Sequence, residues 1–457
     1  MTQAAVPAED PTRAAARFAR VVPLAFITYS LAYLDRQNFG LAEAAGMNKT
    51  LHVGRLMGLL LPAIFFLGYC LFQVPGAAYA AHRSARWIVF WALILWGILS
   101  ALTGIVRDVR SLVAARVSLG MVEGVVFPAL LVFLTHWFSR REKSRANSLL
   151  ILANPITMLW MSVASGFLID YFDRHRILGR SGWQMMFVLE GLPSVLWAFV
   201  WLALVDDLPE QARWLGDSSR RAVQSRLDSE QAEIAHVPDY RAAFSDSRVL
   251  MLCGMYLCWM VGSYGLTMWL PSIIREGSRQ GMGLVGVISS IPYLAATLAM
   301  IGVSCASDYT LNRKVYLWTT MLIGAGAFLV PCFLGANHFW ASLAAIVVAA
   351  CTVFAPCGCL WAMVAEIVPS NVVGESMALI NTAGALGGFI GTFGVGFFIT
   401  LTGHAGGFLL MSAAMTAAGV LALLVRASNT NYAGHATRAS SPRERGNSPL
   451  PRPQARV

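Results

Sequence analysis

The sequence predicts an all-α membrane protein of twelve spanning helices in two six-helix bundles, with both termini in the cytoplasm. Three observations predict it. Of the 457 residues, 57% are hydrophobic and only 13% charged, about half the charged share of a typical soluble chain. The apolar residues come in twelve blocks of about twenty, the length an α-helix needs to cross a hydrocarbon core of about 30 Å. A long charged gap divides these blocks six and six.

The first six blocks run from Val21 to Gly46, Gly54 to Ala80, Arg86 to Val106, Leu112 to Phe138, Ala146 to Ile169 and Trp183 to Val205. The second six run from Val249 to Ile274, Leu284 to Ala306, Val315 to Gly335, Trp340 to Ala365, Gly374 to Thr400 and Gly406 to Val425. Each block is continuously apolar, whereas the strands of a membrane barrel alternate over about ten residues. The first block begins too late, and is too interrupted by Asp35 and Arg36, for a cleaved signal peptide. The expected organisation is a cytoplasmic segment over 1–20, a six-helix bundle over 21–205, a cytoplasmic linker over 206–248, a second bundle over 249–426 and a disordered tail over 427–457. Within the linker, Asp217 through Glu233 reads as one or two amphipathic surface helices. Two similar bundles around a midplane site follow the logic of transporters built from repeats.

The net charge of +10 is explained by topology rather than by nucleic acid. With the amino terminus placed inside, cytoplasmic segments carry 23 of the 34 Lys and Arg, the opposite side nine, and the spans two, Arg36 and Arg116. That asymmetry follows the positive-inside rule. The eight cysteines all fall in predicted spans, where a buried thiol is usually a small packing residue. Cys357 and Cys359 flank a single glycine, which is not a zinc or redox spacing. No metal or other cofactor is expected.

A charge at the centre of a bilayer costs about 2.5–3.5 kcal/mol on insertion scales, so an ionisable residue there must pair, line water or do work. Five stand out: Asp35 and Arg36 in the first span, Arg116 and Glu123 in the fourth, and Glu190 in the sixth. Arg116 and Glu123 are seven apart and share a helix face, with Gly120 between them and Gly124 beside Glu123. The two glycines are a small-xxx-small pair that lets another helix approach closely. Asp35 and Arg36 point about 100° apart, so one can face a cavity while the other faces a packed helix. An arginine stays charged and clasps a carboxylate with two parallel hydrogen bonds. A carboxylic acid in a low-dielectric cavity can load and release a proton near neutral pH. Anion and proton binding in one cavity is therefore one reading of these residues. The other is that they form internal ion pairs that only hold helices together. Glu190, about two turns from the outer end of its helix, reads as structural.

Asn154 precedes Pro155 in mid-helix, where the proline frees a backbone carbonyl; it either binds substrate or satisfies the kink. Asn381 opens a glycine-rich run that suggests close packing and bending, and is a candidate at substrate level. Tyr69, Tyr264, Trp259 and Trp361 are candidates for the cavity wall, although aromatic residues in spans often only pack or anchor interfaces.

Tyr33-Leu34-Asp35-Arg36-Gln37-Asn38-Phe39-Gly40 resembles the first-helix motif of the anion:cation symporter family of the major facilitator superfamily. The string from Arg116 to Gly124, followed by Phe127-Pro128, resembles its fourth-helix motif. His136-Trp137-Phe138, Leu189-Glu190-Gly191, Asp207 with Pro209 and Ala212 through Leu215, Trp269-Leu270-Pro271 and Asn381 are similar to further family features. The resemblance covers the chain from about Val21 to Arg426. It implies a carrier of organic anions such as tartrate, phthalate, aldonates or hexuronates. It also implies that Arg36 holds the substrate carboxylate, that Asp35 and Glu123 couple protons, and that Arg116 pairs with Glu123. Tyr33, Tyr69, Asn154 and Asn381 would complete the site, with Tyr264 and Trp361 in its wall. Asp308, Arg313, Arg83 and Arg86, in the polar turns after the second and eighth spans, would gate it. One departure is Ala81, where the family turn usually carries an acid; it implies a weaker cytoplasmic latch in the first half.

The expected activity is import of a small organic anion by proton symport through alternating access, with more than one proton per substrate charge. The expected setting is a bacterial inner membrane, with the protein acting as a monomer and binding no nucleic acid. Rival readings are a drug or metabolite efflux antiporter and a nutrient sensor that binds without translocating. An antiporter for cations would favour an acidic, aromatic cavity, and a sensor would need an output domain. An enzyme is not expected, since there is no nucleotide loop, nucleophile elbow or metal cluster. The rather apolar tenth span, with Cys351, Cys357, Cys359 and Trp361, points to an aromatic or short acid.

Overall fold

The computed structural model describes residues 11–232, 247–334, 338–367 and 373–425. Among them, twelve helices are long and apolar enough to cross a membrane. They run over Ala14–Ala44, Arg55–His82, Ala85–Thr103, Val109–Trp137, Arg145–His175, Gly182–Leu204, Ser247–Ser278, Met282–Thr310, Arg313–Leu334, Phe339–Val364, Ser376–Thr402 and His404–Leu424. Each coincides with one expected block. No strand occurs among the described residues. The expected tail, part of the linker and the first half of the expected amino-terminal segment lie outside the described residues.

Two spans differ from a simple apolar rod. Pro11–Ala44 is helical, so helix already runs ten residues ahead of the apolar block. The polar start is tied down: Arg17 donates to the Trp137 carbonyl and pairs with Glu142 at 2.9 Å, and Arg20 stacks over Trp214. The fourth span is two helices, Val109–Gly124 and Val126–Trp137. The tenth is likewise Phe339–Phe354 and Cys357–Ile367. Pro128 and Pro356 explain both interruptions, since neither can donate to the carbonyl four residues earlier.

The packing has the symmetry of a repeat. In the first bundle the second span packs on the fourth, the third on the sixth and the first on the fifth. In the second bundle the eighth packs on the tenth, the ninth on the twelfth and the seventh on the eleventh. The bundles meet through the fifth span on the eighth, the second on the eleventh and the first on the seventh. These are the pairs a two-fold relation between halves would generate. In the linker, Asp217–Ala232 forms the expected surface helix.

Glycines set the closest approaches. A Cβ on Gly120 would lie 2.1 Å from the Phe65 carbonyl oxygen, and one on Gly124 would lie 2.5 Å from that of Tyr69. The second and fourth spans therefore touch backbone to backbone, as the glycine pair suggested. Gly120→Val would force them apart. Overpacking of this kind costs about 1–3 kcal/mol, so the purified variant is expected to melt at a clearly lower temperature than the parent. An unchanged melting temperature would show that the two helices separate freely.

At the end of the molecule remote from the first helix's start, three polar contacts join the bundles. Arg55 donates to the Thr400 carbonyl and Arg275 to that of Ala44. The Asp170 carboxylate, on the fifth span, accepts from the Met282 and Gly283 backbone N–H groups at 2.9 and 2.7 Å. Those N–H groups open the eighth span, where a helix dipole favours negative charge. Between the same two spans, a Cβ on Gly286 would sit 2.0 Å from the Ser162 carbonyl oxygen. The far end is thus fastened by charge and by close packing together.

Candidate functional site

A cavity of about 60 Å³ lies between the bundles. The seven residues expected to hold substrate, Arg36, Tyr33, Tyr69, Asn154, Asn381, Tyr264 and Trp361, all line it. They come from the first, second, fifth, seventh, tenth and eleventh spans, so neither bundle makes the site alone. The wall also contains Tyr29, Phe127, Ile151, Tyr256, Met260, Ser263 and Phe354, none of which the sequence pointed to as cavity residues. A signal was present for some of them. Tyr29, Tyr33 and Arg36 follow one helical face, and so do Tyr256, Met260 and Tyr264. Once one member faces the cavity, the helix period carries the others with it.

Among the described residues of this wall, Arg36 is the one cation. It is 6% exposed, and three aromatic rings surround it: its guanidinium carbon is 4.5 Å from the centre of the Tyr69 ring, 5.5 Å from that of Phe65 and 5.7 Å from that of Tyr33. Its Nε donates to Glu123 Oε2 at 3.2 Å, and Nη1 reaches the Tyr264 hydroxyl across the bundle interface at 3.4 Å. Asp35 turns the other way, into the bundle, and accepts from Ser100 at 2.5 Å. Asp35 Oδ2 and Glu123 Oε1 are buried and have no donor.

The implied Arg116–Glu123 pair is not formed. Seven residues of helix separate the two by about 10 Å along the axis, and Arg36 reaches Glu123 first. The Arg116 guanidinium lies instead 4.3 Å from the centre of the Phe39 ring and 5.1 Å from that of Phe65, with Nε and Nη1 unpartnered. Cation–π attraction to two rings replaces part of what the missing ion pair would supply. Trp259 is also not in the cavity wall: it is fully buried, and its indole N–H donates to the Val353 carbonyl at 2.9 Å. Of the four tenth-span residues noted from sequence, Cys357 and Trp361 line the cavity.

The two asparagines behave differently. Asn154 lines the cavity with its Oδ1 buried and unpartnered. Asn381 donates to Gln73 Oε1 at 2.8 Å, a contact of the eleventh span with the second and therefore between bundles.

Of the polar turns, the second-half one carries an Asp308–Arg313 ion pair at 3.1 Å. In the first half, Asp207 supplies the acid that the turn lacks at Ala81. Its carboxylate accepts from the Ser84 hydroxyl at 2.5 Å and from the Arg86 backbone N–H at 2.7 Å, while the Arg86 guanidinium donates to the Leu202 carbonyl. Arg83 is exposed. The expected weakening of this turn is thus offset by an acid from beyond the sixth span, 121 residues from Arg86.

Residues 25–392 match the model of the Major Facilitator Superfamily. An Agrobacterium vitis protein named for tartrate transport is 30% identical over 89% of this chain and 93% of its own length. A protein of Acinetobacter baumannii named as a quinolone resistance transporter is 29% identical, with the same two coverages. The inward open structure of the xylose transporter XylE from E. coli is similar with a TM-score of 0.71 over 91% of this chain and 98% of that one, at 14% identity. That likeness speaks to the fold.

Proposed function

The chain belongs to the Major Facilitator Superfamily, as a multi-pass membrane transporter rather than an enzyme, and from that premise we propose that it imports a small carboxylate by proton symport. The observation that carries this reading is the position of Arg36. A fixed cation faces the cavity between the bundles and is paired at 3.2 Å with the fully buried carboxylate of Glu123.

The chemistry follows from competition. Glu123 occupies the guanidinium edge that a substrate carboxylate would use. Protonating Glu123 removes its charge and frees that edge for the anion. Proton and anion thus load together, and release of either favours release of the other. Asp35, the chain neighbour of Arg36 and the acceptor of the Ser100 hydroxyl, is the second proton-coupling acid in this reading. Tyr33, Tyr69 and Tyr264 offer hydroxyls or ring faces, and Asn154 a free acceptor. The tyrosines, together with Phe127, Phe354 and Trp361, suit an aromatic or short apolar body better than a polyhydroxylated one.

Alternating access would exchange the far-end contacts of Arg55, Asp170 and Arg275 for closure at the other end, where Asp308, Arg313, Arg83 and Arg86 lie. The excess of Lys and Arg on the side of the chain's start supports a cytoplasmic assignment of that side. The kinship to bacterial transporters supports an inner membrane. A monoanion entering a negative interior works against about 2.3 kcal/mol per 100 mV, so proton coupling supplies the drive; with two acids at the site, more than one proton per substrate charge is proposed. The relative named for quinolone resistance supports export as a second reading.

The test is uptake of radiolabelled aromatic and short carboxylates into proteoliposomes under an imposed pH gradient. Accumulation of at least one, collapsed by a protonophore, is the expected result. Transport in which protons and substrate move in opposite directions would establish export by antiport and overturn import.

A further inference from the structure

Glu190 takes no part in the cycle described above, yet it is buried in the middle of the first bundle at 8% exposure. Its carboxyl sits in a closed set of contacts. Ser165 Oγ lies 2.5 Å from Glu190 Oε1 and 3.4 Å from Asn38 Oδ1, and Asn38 Nδ2 reaches Glu190 Oε2. The serine faces two acceptors but owns one proton. If Glu190 were ionised, that proton would turn to the carboxylate and leave Asn38 Oδ1 without it. If Glu190 carries a proton on Oε1, the set closes into a ring. Glu190 donates to Ser165 Oγ, Ser165 donates to Asn38 Oδ1, and Asn38 donates to Glu190 Oε2.

The surroundings agree with the closed ring. The elements packed on the sixth span are the first, third and fifth. The first span presents Asn38 and also carries Asp35, whose charge has the same sign. Arg36 on that span is turned to the cavity and Glu123, and Glu43 lies beyond, hydrogen-bonded to Asn48. The third span has one ionisable side chain, Arg86, at its first turn, held by the Leu202 carbonyl. The fifth span presents Ser165, while its Asp170 is engaged with the eighth span. None of these supplies Glu190 with a cation, and an ionised carboxylate buried without one is strongly disfavoured.

We propose that Glu190 is a third proton-binding carboxyl of this transporter, whose proton is held in the ring with Ser165 and Asn38 throughout the cycle rather than transported. A neutral Glu190 leaves the positive charge of Arg36 and Arg116 to be balanced by Asp35, Glu123 and the arriving anion. A charged one would cancel part of that attraction permanently. The transport arm of this proposal rests on the symport reading; the spectroscopic arm does not.

The test is infrared spectroscopy of the purified full-length protein at neutral pH, in the region of the carbonyl stretch of protonated carboxylic acids. Glu190→Gln is expected to remove one such band, because the glutamine amide replaces both hydrogen bonds of the acid without its carboxyl. The same variant is expected to keep proton-driven uptake within about twofold of the parent, as preserved hydrogen bonding predicts. An unchanged spectrum would show that Glu190 is ionised and overturn the proposal. Loss of proton-driven uptake with exchange retained would show that its proton is a transported one, and would overturn it equally. Should Glu190→Gln fail to fold, Ser165→Ala decides: the band should persist but move to higher frequency as the acid loses its acceptor, and an unmoved band would exclude the ring. If no carboxylate is transported by the parent, the infrared result still decides the state of Glu190.

Discussion

Arg36→Ala is expected to reduce carboxylate uptake to background while the protein still reaches the membrane. Among the described residues the guanidinium is the one cation lining the cavity, and Arg116, the other arginine within the spans, is held over Phe39 and Phe65. Truncating one partner of a buried, hydrogen-bonded charge pair that forms on binding costs about 2–5 kcal/mol, which is a loss of about 30-fold or more in affinity. Glu123 is left without its partner, so it gains a reason to stay neutral, which limits the damage to folding. Arg36→Lys separates charge from shape. The ammonium keeps the charge but not the planar fork, so partial recovery is expected. Quantitative blotting of the tagged protein in membranes, beside uptake, checks the claim. Near-normal uptake by Arg36→Ala would remove the cation from substrate binding.

Glu123→Gln is expected to separate coupling from binding. The glutamine mimics the protonated acid, so Arg36 is permanently free for the anion. Substrate exchange across the membrane should survive, and binding should lose its dependence on pH. In the parent, lowering the pH protonates Glu123, releases Arg36 and strengthens binding; raising it restores the ion pair and weakens binding. The variant should bind about equally well at both ends of that range. Accumulation driven by a pH gradient should fall at least about tenfold, since general proton-transfer roles of single carboxyls are commonly worth that much or more. Uptake against a gradient with unchanged pH dependence would show that Glu123 does not carry the coupled proton.

The local features of this protein were legible because their physics is local. A bilayer fixes the length of a spanning helix, so composition alone located all twelve spans to within a few residues at most of their ends. The exception is instructive. Helix already covers the polar stretch ahead of the apolar block, where Arg17 and Arg20 find partners, Glu142, Trp137 and Trp214, far along the chain. Intramembrane charge is costly wherever it lies, which is why Asp35, Arg36, Arg116, Glu123 and Glu190 were visible as special without any structure. The same cost says nothing about which of them meet.

By itself, the sequence determined the twelve-helix architecture and the short set of ionisable residues that had to be accounted for inside it. Only the tertiary structure decided their partners: Arg36 with Glu123 across 87 residues, Glu190 with Ser165 and Asn38, and Asp207 with the turn that lacks an acid at Ala81. The reason is that hydrophobic thickness acts on each helix separately, whereas a hydrogen bond or ion pair exists only where two helices bring their side chains within about 3 Å. That distance is set by how the helices cross and by the glycines that let them touch.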